Sequence, residues 1–157
     1  MRVGLGFDAH PFAEGRRLRL GGVEIPHDRG LAGHSDGDVL LHAVADAVLG
    51  ASGRGSLGEH FPEGSGEWRG ADSSRLLRRA AELAREAGYR LGNVDAVVIA
   101  EAPLLSPHAE AIRERLAEIL AVEPERISVR GTSSNGLGFA GRDEGIAAFA
   151  VVLLEDA

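Results

Sequence analysis

Apolar and polar positions along this chain fall into blocks whose period switches between two and about 3.6, and each block predicts an element. Residues 2–7 (RVGLGF) have the short apolar character of an opening strand, which Asp8-Ala9-His10-Pro11 interrupts. Residues 17–25 (RLRLGGVEI) read as two short strands joined at Gly21-Gly22, a hairpin signal. A polar loop over 26–36 leads to residues 37–50 (GDVLLHAVADAVLG), a helix with a Ser/Asp start and Gly50 as its stop. Apolar residues wrap most of its circumference, so it belongs inside. The exception is a stripe of Asp38, His42 and Asp46 on one face. Residues 51–71 show no periodicity and read as a long Gly- and Ser-rich loop, the kind that forms lids and binding loops.

Asp72 caps a second helix to about Ala87, burying Leu76, Leu77, Ala80, Leu83 and Ala84, and Gly88 ends it. A strand follows over 94–100. A third helix runs from Ser106-Pro107 to about Ala121, with Pro107 in its first turn. A strand over 127–134, a Gly-rich turn over 135–145 and a last strand over 146–154 complete the chain. This order predicts one domain over 1–157: an α+β two-layer sandwich, with helices packed on one face of a mixed sheet.

Composition narrows the chemistry. Aromatics are only 4% of the 157 residues, so the core must be built from Ala, Val, Leu and Ile. The net charge of -7 argues against a general binder of nucleic acid or anionic membrane, which needs a basic face. A phosphorylated substrate stays open, because a metal or helix N-termini can supply local positive charge. There is no cysteine, which excludes disulfides and thiolate metal sites. Any metal must be held by His and carboxylate. No apolar run has the ~18–20 residues of a membrane span, and Met1-Arg2 leads into a strand without a signal-peptide pattern, so we expect a cytoplasmic setting.

Three constellations stand out. Asp8 and His10, at i and i+2 of an extended chain, point the same way. His42 on the polar helix stripe could supply a third ligand, giving three N/O donors with a fourth position open, as in catalytic zinc sites. Asp46, one turn further on, is placed to orient that imidazole. Spacing alone equally allows His42 to be a core histidine with a satisfied hydrogen bond. The second constellation, Gly131 to Arg142 (GTSSNGLGFAGR), offers hydroxyls, glycines and one arginine at a strand end to cradle a phosphate, or is an ordinary turn. It is no P-loop, because no Gly-Lys-Ser/Thr follows. The third is His34-Ser35-Asp36-Gly37-Asp38, where Ser35 or Asp36 would cap the helix that follows.

Together these pieces resemble one family. Gly6-Phe7-Asp8-Ala9-His10, then His34-Ser35-Asp36-Gly37-Asp38 with His42 and Asp46, resemble the signature of 2-C-methyl-D-erythritol 2,4-cyclodiphosphate synthases. Gly70-Ala71-Asp72-Ser73, Gly92-Asn93-Val94-Asp95, Ala102-Pro103 with Pro107-His108, and Leu137-Gly138-Phe139 with Gly141-Arg142 continue it in order. The resemblance implies a homotrimeric lyase of non-mevalonate isoprenoid biosynthesis with active sites between subunits. It would close the cyclic diphosphate of 4-diphosphocytidyl-2-C-methyl-D-erythritol 2-phosphate and release CMP. It implies zinc at Asp8, His10 and His42, and transition-state stabilisation by His34 and Ser133. Ser35, Gly58, Phe61, Ala100, Pro103, Thr132, Phe139 and Arg142 would line the substrate and cytidine pockets. Phe7, Arg142 and Glu144 would line a central cavity for isoprenoid diphosphates.

Several positions depart from the family pattern. Asn135 stands where an acidic residue usually holds a second cation, magnesium or manganese, across the substrate diphosphate, which weakens that cation's grip. Ser56 and Glu63 each replace a common aspartate, and Leu104 replaces a lysine that commonly meets the nucleotide phosphates. These losses also admit a divergent relative that binds an isoprenoid diphosphate or nucleotide without turnover.

Overall fold

The computed structural model describes residues 1–157 apart from the side chain of Glu63, so the substitution noted there lies outside the described residues. Seven strands form: β1 (Arg2–Ala13), β2 (Leu18–Leu20), β3 (Val23–Ile25), β4 (Gly30–Leu31), β5 (Tyr89–Ile99), β6 (Ile127–Thr132) and β7 (Gly145–Asp156). The main sheet has the order β4-β1-β7-β5-β6, and β2-β3 make the hairpin expected at Gly21-Gly22. In the main sheet β5 and β6 pair in parallel and the other neighbours antiparallel, so the sheet is mixed. The parallel pair needs a crossover, and the segment over 100–126 with its helix supplies it.

The helices are α1 (Val39–Ser52), α2 (Leu57–His60), α3 (Ser73–Glu86), α4 (Ala109–Leu120) and α5 (Gly138–Gly141). Helix α1 lies at the centre, with Val39, Leu40, Leu41, Ala43, Val44, Ala45, Leu49 and most of its other residues fully buried. It packs on β1, β7 and α3. Two glycines bring it that close. A Cβ on Gly6 would stand 1.9 Å from the Ala43 carbonyl oxygen, and one on Gly4 2.0 Å from that of Ala47. Only residues without a side chain tolerate such an approach. Positions 4, 6, 8 and 10 share this face of the strand, so the glycines also carry Asp8 and His10 up to α1.

The odd positions of β1 point the other way. Val3, Leu5 and Phe7, with Phe149 and Val151 on β7, lie on an uncovered apolar face of the sheet. Leu5 is paired with Val151 and Phe7 with Phe149, whose rings stand 4.7 Å apart.

The α+β mixed sheet is as expected, with several corrections at element ends. The opening strand does not stop at Asp8. It continues to Ala13 because β7 pairs with it as far as Pro11 and β4 takes up Phe12 and Ala13. Gly50 does not end α1, which runs on to Gly53, where a left-handed backbone (φ 69°) closes the cap. The cap at its start is Asp38, not Ser35 or Asp36: Asp38 Oδ1 accepts from Leu41 N at 3.1 Å. Its oxygens also accept from Gly21 N and Gly22 N, pinning the hairpin to the helix. The 51–71 segment contains the last two residues of α1 and the short helix α2. Helix α3 begins and ends where the sequence puts it, capped by Asp72.

Candidate functional site

At the end of β1 that lies over α1, three side chains converge. Asp8 Oδ2 is 2.8 Å from His10 Nε2 and 3.0 Å from His42 Nδ1, and the two ring nitrogens are 3.2 Å apart. A triangle of that size leaves positions about 2 Å from all three corners, the length of a zinc–nitrogen or zinc–oxygen bond. Two imidazoles and a carboxylate are also the donor types that suit zinc when thiolates are missing. The residues therefore fit a divalent cation, and His42, whose two ring nitrogens also have protein partners, is placed to be its third ligand. All three are largely buried, His42 most completely.

The charges in this cluster hold one another. Burial raises the Asp8 pKa, but hydrogen bonds from His10 and His42 outweigh it and hold the carboxyl well below its usual range. Burial works against the charged form of His10, yet the hydrogen bond and charge of Asp8 prevail and raise its pKa above 6.5. Without a cation, the carboxylate is the counter-charge of His10.

On its far side, His42 Nε2 lies 2.9 Å from Ser73 Oγ and 3.0 Å from Ser35 Oγ. Asp46, expected to orient this ring, does something else: Asp46 Oδ1 accepts from Leu57 N at 2.8 Å and so anchors the start of α2. The i+4 spacing puts Asp46 on the same helix face as His42, but α2 arrives there first. The loop before α1 is held by Arg16, which donates to Gly33 O at 2.9 Å and Ser35 O at 2.7 Å. Nothing in the sequence flags Arg16, because its targets are backbone carbonyls far along the chain.

A cavity of about 300 Å³ opens over the triad, lined by Asp8, His10, His42, His34, Ser35 and Gly58 among others, including Ser56 and Trp68. Phe61, also expected in the pocket, is instead buried with its ring edge-on to Trp68 at 4.8 Å. A second, separate cavity of about 190 Å³ is lined by Ala100, Pro103, Leu104, Thr132, Ser133 and neighbours. One chain thus does not bring His34 and Ser133 into one pocket. The pairings Ala9–Ala147, Ala147–Ile99 and Ile99–Thr132 form one row across the sheet. Three strand spacings separate β1 from β6 along it, about 14 Å.

Beyond β6 the chain turns through Ser133, Ser134 and Asn135, whose φ of 54° is left-handed. Glu101 organises this turn, its Oε1 accepting from Ser134 N at 3.0 Å, Ser134 Oγ at 3.2 Å and Gly136 N at 3.3 Å. Those bonds hold its carboxyl below the usual range. Glu101 is a residue the sequence reading missed. Phe139 and Phe7 border the uncovered sheet face together, while Glu144 borders Phe139 beside Pro11. Arg142 Nε donates to Glu144 Oε1 at 2.6 Å on the surface nearby.

Comparison with known proteins adds a separate line of support. The model of a family described as YgbB matches residues 1–155. The 2-C-methyl-D-erythritol 2,4-cyclodiphosphate synthase of Syntrophomonas wolfei is 53% identical over 100% of both chains. That of Geobacter metallireducens is 56% identical over 99% of each. A solved structure of such a synthase in a CDP-bound form is 38% identical, with a TM-score of 0.90 over 98% of this chain and 100% of that one. The bifunctional IspDF of Campylobacter jejuni is 42% identical with a TM-score of 0.96 over 99% of this chain, which spans 42% of that longer protein.

Proposed function

This chain belongs to the YgbB family, and from that premise we propose that it is a metal-dependent lyase of isoprenoid precursor biosynthesis. It converts 4-diphosphocytidyl-2-C-methyl-D-erythritol 2-phosphate to 2-C-methyl-D-erythritol 2,4-cyclodiphosphate, the product that the names of its relatives carry, and CMP. The observation that carries the reading is the Asp8–His10–His42 triangle at the floor of a cavity edged by His34 and Ser35.

Cyclisation needs alignment and charge neutralisation more than a protein nucleophile. Asp8, His10 and His42 would hold zinc, which would supply Lewis-acid polarisation of a phosphate oxygen, and a second cation, magnesium or manganese, would assist with a grip weakened by Asn135. Asp8, His10 and His42 fix where that charge sits. His34 at the cavity edge and Ser133 beyond β6 flank the reacting diphosphate. Ser35 and Gly58 line the sugar side, Ala100, Pro103 and Thr132 the cytidine side, with Phe139 and Arg142 near the phosphates. Because the attacking phosphate belongs to the same molecule, holding it folded supplies much of the rate.

The two half-pockets about 14 Å apart favour a homotrimer in which one subunit's triad faces a neighbour's β6 turn. The uncovered face of Val3, Leu5, Phe7, Phe149 and Val151 supports this, since soluble chains seldom leave such a face unpartnered. In that trimer Phe7, Arg142 and Glu144 line a central cavity fitted to an isoprenoid diphosphate. A cytoplasmic setting belongs to the same reading; among the described residues no helix is long and apolar enough to cross a membrane.

Incubation with the authentic substrate, with and without a chelator, tests the function. We expect chelator-sensitive release of CMP together with a cyclic diphosphate. Inorganic phosphate as product, or no CMP at all, overturns it.

A further inference from the structure

The motif Gly70-Ala71-Asp72-Ser73 has no part in the chemistry described so far, yet its last residue reaches the metal cluster. Ser73 is the first residue of α3 and is fully buried. Its Oγ has three close neighbours: Asp36 Oδ1 at 2.5 Å, His42 Nε2 at 2.9 Å and Ser35 Oγ at 3.1 Å. We propose that Ser73, oriented by Asp36, is a positioning residue that fixes the tautomer of His42 so that Nδ1 is the nitrogen offered to the cation.

Counting protons leads there. A serine hydroxyl has one hydrogen and two lone pairs, and a carboxylate only accepts. The Ser73 hydrogen therefore goes to Asp36, its shortest contact. The same carboxylate accepts Ser73 N at 3.1 Å through its other oxygen, so the residue is gripped at two points. Only lone pairs of Ser73 Oγ remain to face His42. A proton on Nε2 gives this 2.9 Å contact its donor, whereas the other tautomer would set two lone pairs against each other there and leave Nε2 only the hydroxyl of Ser35, at 3.0 Å, as a donor. With the Nε2 proton kept by Ser73, Nδ1 is the nitrogen that a cation would take over from its hydrogen bond to Asp8, and it lies 3.0 Å from Asp8 Oδ2 and 3.2 Å from His10 Nε2.

Histidines that bind metals are generally held this way, with the second ring nitrogen donating to a group that fixes ring angle and tautomer. Here the acceptor is a hydroxyl relaying a carboxylate, and its three parts come from the loop before α1, from α1 and from α3. A shift of α3 along the sheet would therefore disturb His42. The inference rests on the reading of Asp8, His10 and His42 as a metal site.

The test compares the zinc affinity of wild type, Ser73→Ala and Asp36→Asn, by competition with a chromophoric chelator. A second readout is the ¹⁵N spectrum of the histidines in the zinc-loaded wild type. We expect zinc to bind Ser73→Ala about 10- to 100-fold more weakly, with helix content unchanged. Asp36→Asn should weaken binding similarly, because an amide donating to Ser73 Oγ turns the hydroxyl proton toward Nε2. The spectrum should show His42 protonated at Nε2. Zinc binding to wild type and to Ser73→Ala with equal affinity overturns the relay while leaving the metal site intact. No zinc binding by the wild type overturns both. Should Ser73→Ala fail to fold, the spectrum still decides: zinc on Nε2 of His42 refutes the proposal.

Discussion

The β1 end and the β6 end of the sheet, the two halves of the site in the reaction proposed above, lie at the same level of the fold and are built in opposite ways. At the β1 end each converging side chain is held from behind: Asp8 and His10 by a strand paired with β7, His42 by a buried helix and by Ser73. At the β6 end Thr132, Ser133 and Asn135 are exposed, and the turn hangs on Glu101. The difference teaches where precision must come from. Three ligands that converge on one point must be preorganised by the chain's own core. A pocket wall meant to close on a neighbour can stay open until the neighbour arrives.

The comparison breaks most sharply at His42. His42→Ala should abolish CMP release and strip zinc, measured by metal analysis, while circular dichroism shows the fold retained. A zinc-depleted variant with full turnover would mean that the β1 end is not the reacting half. The next largest effect addresses assembly. Phe149→Glu places a charge on the uncovered face beside Phe7 and should convert the proposed trimer to monomer in sedimentation. Turnover should then fall by orders of magnitude, whereas zinc affinity should stay at the wild-type value, because the triad is built within one chain. Loss of zinc on dissociation would show that the β1 half is not self-contained.

Gly6→Ala strikes the device that brings helix and strand together. A Cβ 1.9 Å from a backbone oxygen forces α1 outward, an overpacking that costs about 3 kcal/mol and lowers the melting temperature by about 6–12 °C. Zinc should bind more weakly as His42 moves with the helix. A melting temperature within a degree of wild type would mean that the contact relaxes without cost.

Acidity separates the halves more gently. In the metal-free protein Asp8 has a lowered pKa, so its pairing adds stability above the unfolded carboxylate value near 3.9, and that stability is lost as pH falls through the folded value. His10 has a raised pKa, so its contribution is full below 6.5 and disappears as pH rises through the folded value. The metal-free protein should therefore be most stable between about pH 4 and 6.5 as far as this pair is concerned, and its melting temperature should decline from pH 6 to 8. Zinc affinity should climb over the same interval, since the cation must displace the His10 proton. An Asp8→Asn variant should lose the decline, and keeping it would assign the effect to other groups.

The same contrast governs what the sequence discloses. The triad was legible because its parts obey short-range rules: i and i+2 on a strand, a polar stripe on a helix. Asp46 misled because i+4 spacing gives a face but not the neighbour on it, and α2 occupied that neighbour's place. Ser73, Arg16 and Glu101 act across 31, 19 and 33 residues, distances over which only the folded chain defines proximity. The continuation of β1 to Ala13 was hidden for a related reason, since pairing with β7 as far as Pro11 and with β4 at Phe12 and Ala13, not local propensity, keeps it extended. The apolar outer face of β1 and β7 reads as core in the sequence. In the proposed trimer, burial between chains would use the same residue types as burial within one.

The smallest effect concerns Asn135, and it tests how far the open half can be altered without touching the other. Asn135 sits at φ 54°, a conformation asparagine adopts more readily than glutamate. Its Oδ1 accepts from Ser133 Oγ at 3.3 Å and its N–H donates to the same oxygen at 3.2 Å. The amide thus shapes the turn, at the expense of a charge that would hold a second cation. Asn135→Glu reverses the exchange. A carboxylate there should lower the magnesium concentration for half-maximal activity by about 3- to 10-fold, as a charged oxygen replaces a neutral one. The left-handed backbone should then cost about 1 kcal/mol, a fall of about 2–4 °C in melting temperature. Zinc affinity should not change, because the substitution lies three strands away from the triad. Identical magnesium dependence in the two proteins would show that the substrate's own phosphates and water hold that cation unaided, making residue 135 a turn former and nothing more.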